Sequence, residues 1–144
     1  MTENKSSILT SLGIDVGIKT HHVKTITEAD IMRFADISGD FQLVHISEDF
    51  AKKTLFGSRI AHGMLIAGLI SAAVAKLPGL VIYLSQKVDF LKPVRVDDSI
   101  TASAEVTDKD DVKGILTLKT LCINQEGETV VKGEGRVRIY EPPS

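Results

Sequence analysis

A chain of 144 residues has room for one domain with a single core, and its 43% hydrophobic and 25% charged residues are typical of a globular protein. The net charge of −2 gives no general attraction to nucleic acid or to anionic membranes, so neither partner is expected. The single cysteine, Cys122, excludes an intramolecular disulfide and suits a reducing compartment. Because residues 1–5 begin no basic and apolar leader, we expect a cytoplasmic protein with one domain over residues 1–144.

The first part of the chain predicts a strand followed by helices. Alternating apolar residues at 14–18 and β-branched residues at 23–26 indicate extended structure. Thr27 is a good N-cap for a helix with an acidic first turn, and Gly39 is a typical helix end. The apolar face of this helix is predicted to contain Ile31, Phe34, Ala35 and Ile37. Ser47 can cap a second, short helix that runs through Lys53.

Residues 60–77 are apolar enough to resemble a membrane span. This segment contains His62, Ser71 and Lys76, and it barely reaches the roughly 20 residues that a bilayer requires. A helix that is apolar all round is also typical of a core helix, and strand patterns flank this one. We therefore predict a core helix from about Gly63 to Leu77, which a Pro-Gly pair ends.

The chain after Gly79 predicts strands. The predicted strands are 80–90, 99–106, 115–123 and 129–140. Gly133 and Gly135 lie inside the last of them, where they indicate a bulge or tight curvature rather than a phosphate-binding loop. A strongly curved antiparallel sheet wrapped around the long apolar helix is the economical way to bury that helix. The sequence thus predicts an α+β protein with the hot dog fold.

Two short segments bring polar chemistry close to this central helix. Segment 39–45 reads Gly-Asp-Phe-Gln-Leu-Val-His and is predicted to be non-helical, while His62-Gly63 stands at the start of the helix. Asp40 and His45 can hold one water by two hydrogen bonds, with one group taking its proton. A free backbone N–H at the helix start, that of Gly63 in particular, can polarise a carbonyl oxygen. These groups suit the addition of water to an activated carbonyl compound, or its removal.

Each of these residues also has a purely structural interpretation. Asp40 follows a helix-ending glycine and can form an Asx turn, and His45 can be an ordinary loop histidine. Gly63 can serve helix–sheet packing, and His62 can be a core histidine or one that supports the site. Ser71 can fill a small space or orient Asp40 or the water. Their joint presence in this order favours the functional interpretation for Asp40 and His45.

Segments 34–45 and 60–65 resemble the hydratase motif of the MaoC-like, R-specific enoyl-CoA hydratases, and the resemblance extends from about residue 13 to the last strand. In that family Asp-x-Asn-Pro-x-His supplies an aspartate and a histidine five positions apart, and Asp40 and His45 occupy these positions. The His-Gly pair at the helix start matches His62-Gly63, and a serine further along the helix matches Ser71.

Two positions inside the motif depart from the family. Gln42 stands for the usual asparagine and Leu43 for the usual proline, although neither change removes an acid or base. Both changes bear on loop rigidity and pocket shape. They leave the reaction class in place and the substrate open.

The resemblance implies the reversible addition of water to trans-2-enoyl-CoA, with an (R)-3-hydroxyacyl product, in fatty-acid or polyhydroxyalkanoate-type metabolism. It implies Asp40, His45 and Gly63 as catalytic residues, and Ser71 and His62 as residues that bind substrate or support the site. It also implies no metal, no cofactor beyond the coenzyme A of the substrate, and a homodimer or higher homo-oligomer. An acyl carrier protein is an alternative carrier of the acyl group. A hot dog acyl-CoA thioesterase and a non-catalytic acyl-thioester-binding module are the alternative functions.

Overall fold

The computed structural model describes residues 7–144, so the expectation about a leader at residues 1–5 lies outside the described residues. Within that part, the helices are α1 (Ile8–Ser11), α2 (Glu28–Ser38), α3 (Leu43–Ile46), α4 (Glu48–Lys52) and α5 (Gly63–Val74). The strands are β1 (Lys19–Thr25), β2 (Leu80–Phe90), β3 (Ser99–Asp110), β4 (Ile115–Ile123) and β5 (Thr129–Tyr140). The predicted ranges of β2, β4 and β5 are confirmed, and β3 extends four residues further than predicted.

The five strands form one antiparallel sheet in the order β1-β3-β4-β5-β2, which leaves β1 and β2 at its edges. Strict alternation buries one face of β3 completely, as the sequence predicts, through Ile100, Ala102, Ala104 and Val106. That face packs against α5, which contributes Ile66, Ile70, Ala73 and Val74 to the core. The α+β class and the hot dog arrangement of a sheet around a helix are confirmed.

Helix α5 is shorter and more open than the sequence suggests. It ends at Val74 rather than Leu77, because the residue before a proline disfavours helical geometry and residues 75–77 tighten into a turn before Pro78. Met64, Gly68 and Ser71 are exposed, since a single sheet covers only one side of the helix. No helix within residues 7–144 is long and apolar enough to cross a membrane.

Helix α2 begins and ends where its sequence predicts. The Thr27 hydroxyl accepts a hydrogen bond from the Asp30 N–H while the Asp30 carboxylate accepts one from the Thr27 N–H, which forms a capping box. Gly39 ends the helix in the left-handed conformation, with φ of 81°. The prediction that Ile37 faces the core is wrong, because its side chain is 86% exposed. Six residues beyond the buried Ile31, position 37 turns away from the core side of the helix.

The chain before β1 also differs from the prediction. Residues 12–18 form turns rather than a strand, and the short helix α1 precedes them. Ile14 is nevertheless fully buried, so it is a core residue without being a strand residue. Val16, in contrast, is 53% exposed, so the alternation of residues 14, 16 and 18 marks neither a strand nor one buried face.

Gly133 and Gly135 allow a side chain of the neighbouring strand to lie across β5. A Cβ atom on Gly133 would lie 1.9 Å from the Lys87 carbonyl oxygen, and one on Gly135 would lie 2.5 Å from Gln86 Oε1. The Gln86 amide therefore passes over both glycines and donates a hydrogen bond to the buried Thr120 hydroxyl, with an N···O distance of 2.9 Å. The register shift of this strand pair lies in β2 between Tyr83 and Ser85, across from Val137 and Arg136. The register of β5 with both neighbouring strands is continuous through the two glycines, so the predicted bulge is wrong there. The pair permits close strand approach, and tight curvature stays a prediction.

Candidate active site

The segment from Gly39 to His45 folds as a turn followed by one helical turn. The Asp40 Oδ1 atom accepts a hydrogen bond of 3.2 Å from the Gln42 N–H, so the Asx-turn role considered for this aspartate is present. His45 lies in α3, and the prediction of a wholly non-helical segment is wrong. A single turn is too short to show a helical period in a sequence. The turn leaves Oδ2 of the same carboxylate available to face His45.

His45 is buried, with 7% exposure, and the backbone fixes its protonation pattern. Its Nδ1 atom lies 2.8 Å from the Ile60 carbonyl oxygen, which can only accept a hydrogen bond, so Nδ1 carries the proton. In the neutral ring Nε2 is then an acceptor, and it lies 3.8 Å from Asp40 Oδ2. Two acceptors at this separation do not bond to each other, but one water can donate a hydrogen bond to each.

His62 is more deeply buried than His45 and contacts both members of the pair. Its Nε2 atom donates a hydrogen bond of 2.9 Å to the backbone carbonyl of Asp40. Its ring stacks on the His45 ring with the centroids 3.9 Å apart and the planes 28° from parallel. Burial lowers the pKa of His62 below its ordinary value, and the neighbouring His45 acts in the same direction. His62 is therefore a neutral ring that supports the pair.

The N-terminus of α5 lies beside these side chains. His62 is the N-cap residue and makes no side-chain cap, and within residues 7–144 the Gly63 N–H has no hydrogen-bond acceptor. A free N–H at the positive end of a helix attracts a partly negative oxygen. The Phe90 ring lies against Gly63, because a Cβ atom there would be 2.8 Å from Phe90 Cδ1. The packing interpretation of Gly63 is thus correct for this structure, and it does not exclude the role of its N–H.

These groups open into a cavity of about 680 Å³ with largely apolar walls. Asp40, His45, His62 and Gly63 all border this cavity, so the structure brings together four of the five predicted site residues. The walls include Phe34, Phe56, Ile60, Met64, Ile66, Phe90, Leu91, Pro93, Val94 and Val131. Ser71, the fifth residue, is exposed on the open side of α5 and does not border the cavity.

Two contributors to the site were missed in the sequence. The Ile60 carbonyl sets the His45 tautomer, and a backbone oxygen carries no signal of its residue type. Phe90, the last residue of β2, packs on Gly63 although 26 residues lie between them in the chain. Its position at the end of a strand, just before Leu-Lys-Pro, is the only signal that the sequence offers for it.

Asp40, His45 and His62 also form the kind of cluster that can hold a metal ion, since one ligand atom from each lies within 4.8 Å of the others. However, one ring nitrogen of each histidine donates to a carbonyl oxygen. The two ring planes are only 28° from parallel with centroids 3.9 Å apart, so lone pairs that lie in these planes are poorly placed to meet at one ion. The cluster therefore suits a bound water better than a tetrahedral metal site.

Comparisons with known proteins agree on one family. The MaoC like domain family matches residues 12–126. An (R)-specific enoyl-CoA hydratase of Rhodospirillum rubrum is 44% identical over 118 residues, which are 81% of each chain. A 3-hydroxybutyryl-CoA dehydratase of Methylorubrum extorquens is 38% identical over 88% of this chain and 81% of its own. The solved (R)-hydratase of Aeromonas caviae, involved in PHA biosynthesis, superposes with a TM-score of 0.85 at 40% identity, over 88% of this chain and 98% of that one.

Proposed function

Because the chain belongs to the MaoC-like domain family, we propose that it is an (R)-specific enoyl-CoA hydratase, a hydro-lyase that adds water reversibly to trans-2-enoyl-CoA. The observation that carries this proposal is the 3.8 Å gap between Asp40 Oδ2 and His45 Nε2. Both atoms are acceptors, and both border an apolar cavity that can receive an acyl chain. The gap can hold the water molecule that a hydratase must orient toward its substrate.

The tautomer of His45 suggests how the proton moves. Water donates a hydrogen bond to Asp40, which orients it and keeps that O–H intact, and it transfers its other proton to His45 Nε2 as its oxygen attacks the β-carbon. The C–C double bond shifts its electron pair toward the thioester carbonyl, which becomes an enolate. His45 then returns the proton to the α-carbon, so that one water is added in total. The reverse sequence removes water.

The enolate oxygen needs a hydrogen-bond donor, and we assign this role to the Gly63 N–H. It is a free donor at the N-terminus of α5 on the border of the same cavity. A fixed donor of this kind stabilises charge that develops in the transition state without reorganisation. The side chains and this N–H supply each group that the reaction uses, so we propose that no metal or cofactor takes part.

Adding crotonyl-CoA to the purified protein tests the reaction. We expect loss of the absorbance of the conjugated thioester, and formation of the (R)-3-hydroxy product. Asp40→Asn and His45→Ala should each lower kcat by about 10²- to 10⁴-fold, the usual contribution of acid–base catalysis. Asp36→Asn and His21→Ala change the same residue types at exposed positions outside the site and should leave kcat unchanged. Turnover of wild-type rate in both site variants would refute the assignment.

A thiol-reactive dye in the same assay separates the hydratase from the alternative thioesterase. A hydratase leaves the thioester intact, so no free coenzyme A thiol appears. Release of thiol in step with the loss of absorbance would instead support the thioesterase. Tight acyl-CoA binding with neither reaction would support the non-catalytic binding module.

We also propose that two copies associate through β2 and the open side of α5. β2 is an edge strand that exposes Ile82, Tyr83 and Leu84, and an apolar edge is a template for pairing. In solution, Ile82→Lys should convert a dimer to a monomer, measured by sedimentation. Val23→Lys places the same charge on an exposed apolar position of the other edge, β1, and should leave the dimer intact. Monomeric wild-type protein would contradict the proposal.

Ser71 enters the proposal only through such a second copy. It is exposed on the open side of α5 and lies outside the cavity of its own chain. We therefore propose for Ser71 a place at the contact between copies, where its hydroxyl can approach the partner's site. We further propose that residues 1–144 form one domain and that the enzyme acts in the cytoplasm, which the single, unpaired cysteine supports.

A further inference from the structure

His62 touches every part of the proposed machinery without offering it a reactive atom. Its Nε2–H holds the Asp40 backbone carbonyl, and its ring lies flat against His45. It is also the N-cap residue of α5, directly before Gly63, and its own carbonyl accepts the first hydrogen bonds of the helix from Leu65 and Ile66. One residue thus connects both members of the pair to the helix N-terminus.

The environment of His62 fixes it in one form. The Asp40 carbonyl accepts a hydrogen bond, so Nε2 bears the proton. The other nitrogen, Nδ1, is buried and has no hydrogen-bond partner within residues 7–144. A proton at Nδ1 would place an unsatisfied N–H and a positive charge beside the His45 ring. Phe34 also packs against His62, with the two ring centroids 4.9 Å apart.

Of the three hydrogen bonds that hold Asp40 within residues 7–144, the one from His62 to the Asp40 carbonyl is the best shielded from solvent. The Asp40 N–H donates to Ser38 Oγ at 3.1 Å, and the Gln42 N–H donates to Asp40 Oδ1 at 3.2 Å, but both contacts are exposed. The bond from His62 is shorter and comes from a side chain with 2% exposure. The bond is partly buried, and a bond shielded in this way is less open to competition from water. The position of the Asp40 main chain, from which the carboxylate extends, therefore depends most on His62, while the Gln42 N–H holds the carboxylate itself.

The geometry points to His62 as a positioning residue that holds the main chain of Asp40, the His45 ring and the Gly63 N–H in one fixed arrangement. This inference rests on the proposed hydratase function and adds to it a reason for the histidine before Gly63. His62 acts through the other three groups, because its free nitrogen is buried and its bonded nitrogen faces the main chain.

Two substitutions separate the two contacts of His62. His62→Gln keeps an amide N–H that can reach the Asp40 carbonyl and removes the ring. His62→Phe keeps a flat ring against His45 and removes the donor. His62→Ala removes both contacts. The same three substitutions at His21, an exposed residue of β1, serve as matched controls.

With crotonyl-CoA, we expect kcat to fall about tenfold in His62→Gln and in His62→Phe, and about a hundredfold in His62→Ala, with KM changed less than threefold. Substrate binding is spared because His62 positions other groups. Lower thermal stability with kcat per folded molecule unchanged would show a merely structural role and overturn the inference. An inactive wild-type enzyme would refute the proposed function instead, so the two failures are distinguishable.

The pH dependence of stability tests whether His62 is held neutral. The groups that face it are His45 and the Asp40 carboxylate. Burial lowers the pKa of folded His62 below the value of 6.5 that it has in an unfolded chain. As the pH falls through 6.5, the unfolded state takes up a proton that the folded state resists, so the stability of the wild type declines. His62→Phe should lose less free energy of unfolding than the wild type between pH 7.5 and 5.5, because it lacks the one proton that only the unfolded wild type takes up. Equal losses in both proteins would contradict a neutral His62.

Discussion

The inner face of the sheet and the segment from Gly39 to Met64 are held in place by different forces. The sheet face consists mainly of small and medium apolar side chains that alternate along most of β3, β4 and β5, nearly all fully buried. In the site segment, individual polar contacts hold the main chain. Among them are the bonds from His45 to Ile60 and from His62 to Asp40, and the ion pairs that join Arg59 to both Glu28 and Glu48.

This difference separates stability from activity. Burial of apolar area is non-directional, so the sheet face tolerates shifts of a few tenths of an ångström but not the loss of volume. A hydrogen bond to a chosen atom is directional, so the site segment depends on geometry more than on volume. We therefore expect changes in the sheet to act on the free energy of unfolding, and changes in the segment to act on turnover.

The largest effect is expected from Leu118→Ala, on the buried face of β4. Loss of a fully buried leucine should lower the free energy of unfolding by about 2–5 kcal/mol, because the removed methyl groups no longer contribute their burial and a cavity remains in their place. Urea titration measures this change. The rate per folded molecule should stay within twofold of the wild type. Leu55→Ala, at a leucine that is 91% exposed, is the control and should change stability by less than about 0.5 kcal/mol. A large loss of turnover in folded Leu118→Ala would contradict the idea that the sheet face acts on stability and not on turnover.

A smaller effect, on turnover, is expected from Gly63→Ala. The added methyl would lie 2.8 Å from the half-exposed Phe90 ring, which can swing outward, so folding should survive. The same methyl would narrow the approach of the thioester to the Gly63 N–H, and kcat/KM should fall about tenfold, or about 1.4 kcal/mol.

The double variant Gly63→Ala with Phe90→Ala decides why the glycine is needed. If the substrate requires the space, removal of the Phe90 ring does not restore activity, and this is the result we expect. Recovery of wild-type kcat/KM would show that Gly63 serves only the packing of Phe90. Phe90→Ala alone provides the baseline for this comparison.

The smallest effect is expected from Leu43→Pro. Leu43 is the first residue of α3, where a proline costs no hydrogen bond, and within residues 7–144 its N–H has no acceptor. Gln42 already has φ of −55° and ψ of 136°, which a following proline favours. The substitution should raise the free energy of unfolding by about 0.4–1 kcal/mol by restricting the unfolded chain, with kcat unchanged. A destabilised variant would show that this leucine has a role beyond starting the turn.

The sequence was sufficient for most of the sheet and for both ends of α2. Alternation over nine to twelve residues and a Thr-x-x-Asp cap followed by a terminal glycine are local signals with one interpretation each. The open side of α5 could not be predicted, because an apolar residue such as Met64 has the same signature on a core helix as on an uncovered one. The one-turn helices α1 and α3 carry no periodic signal.

In the site, the residue types could be predicted but not their contacts. Asp40, His45, His62 and Gly63 are recognisable from their spacing, and all four border the cavity. The His45 tautomer depends on a carbonyl that is 15 residues away in the chain, and Phe90 reaches Gly63 only through the packing of β2. Ser71 has the spacing of the family motif but lies on the open side of its own chain. Spacing specifies which groups are present, whereas tertiary packing decides what each of them faces.

The glycine pair in β5 sets how closely β2 can approach β5. Since Gly133 has no side chain, β2 lies so near that the Lys87 carbonyl occupies the place of a Cβ atom. Phe90 and Leu91, three and four residues further along, form part of the cavity wall. Any residue larger than glycine at position 133 would displace β2 from β5. The part of the cavity wall formed by Phe90 and Leu91 would move with β2. The width of the cavity therefore depends on a position of β5 that does not itself border the cavity.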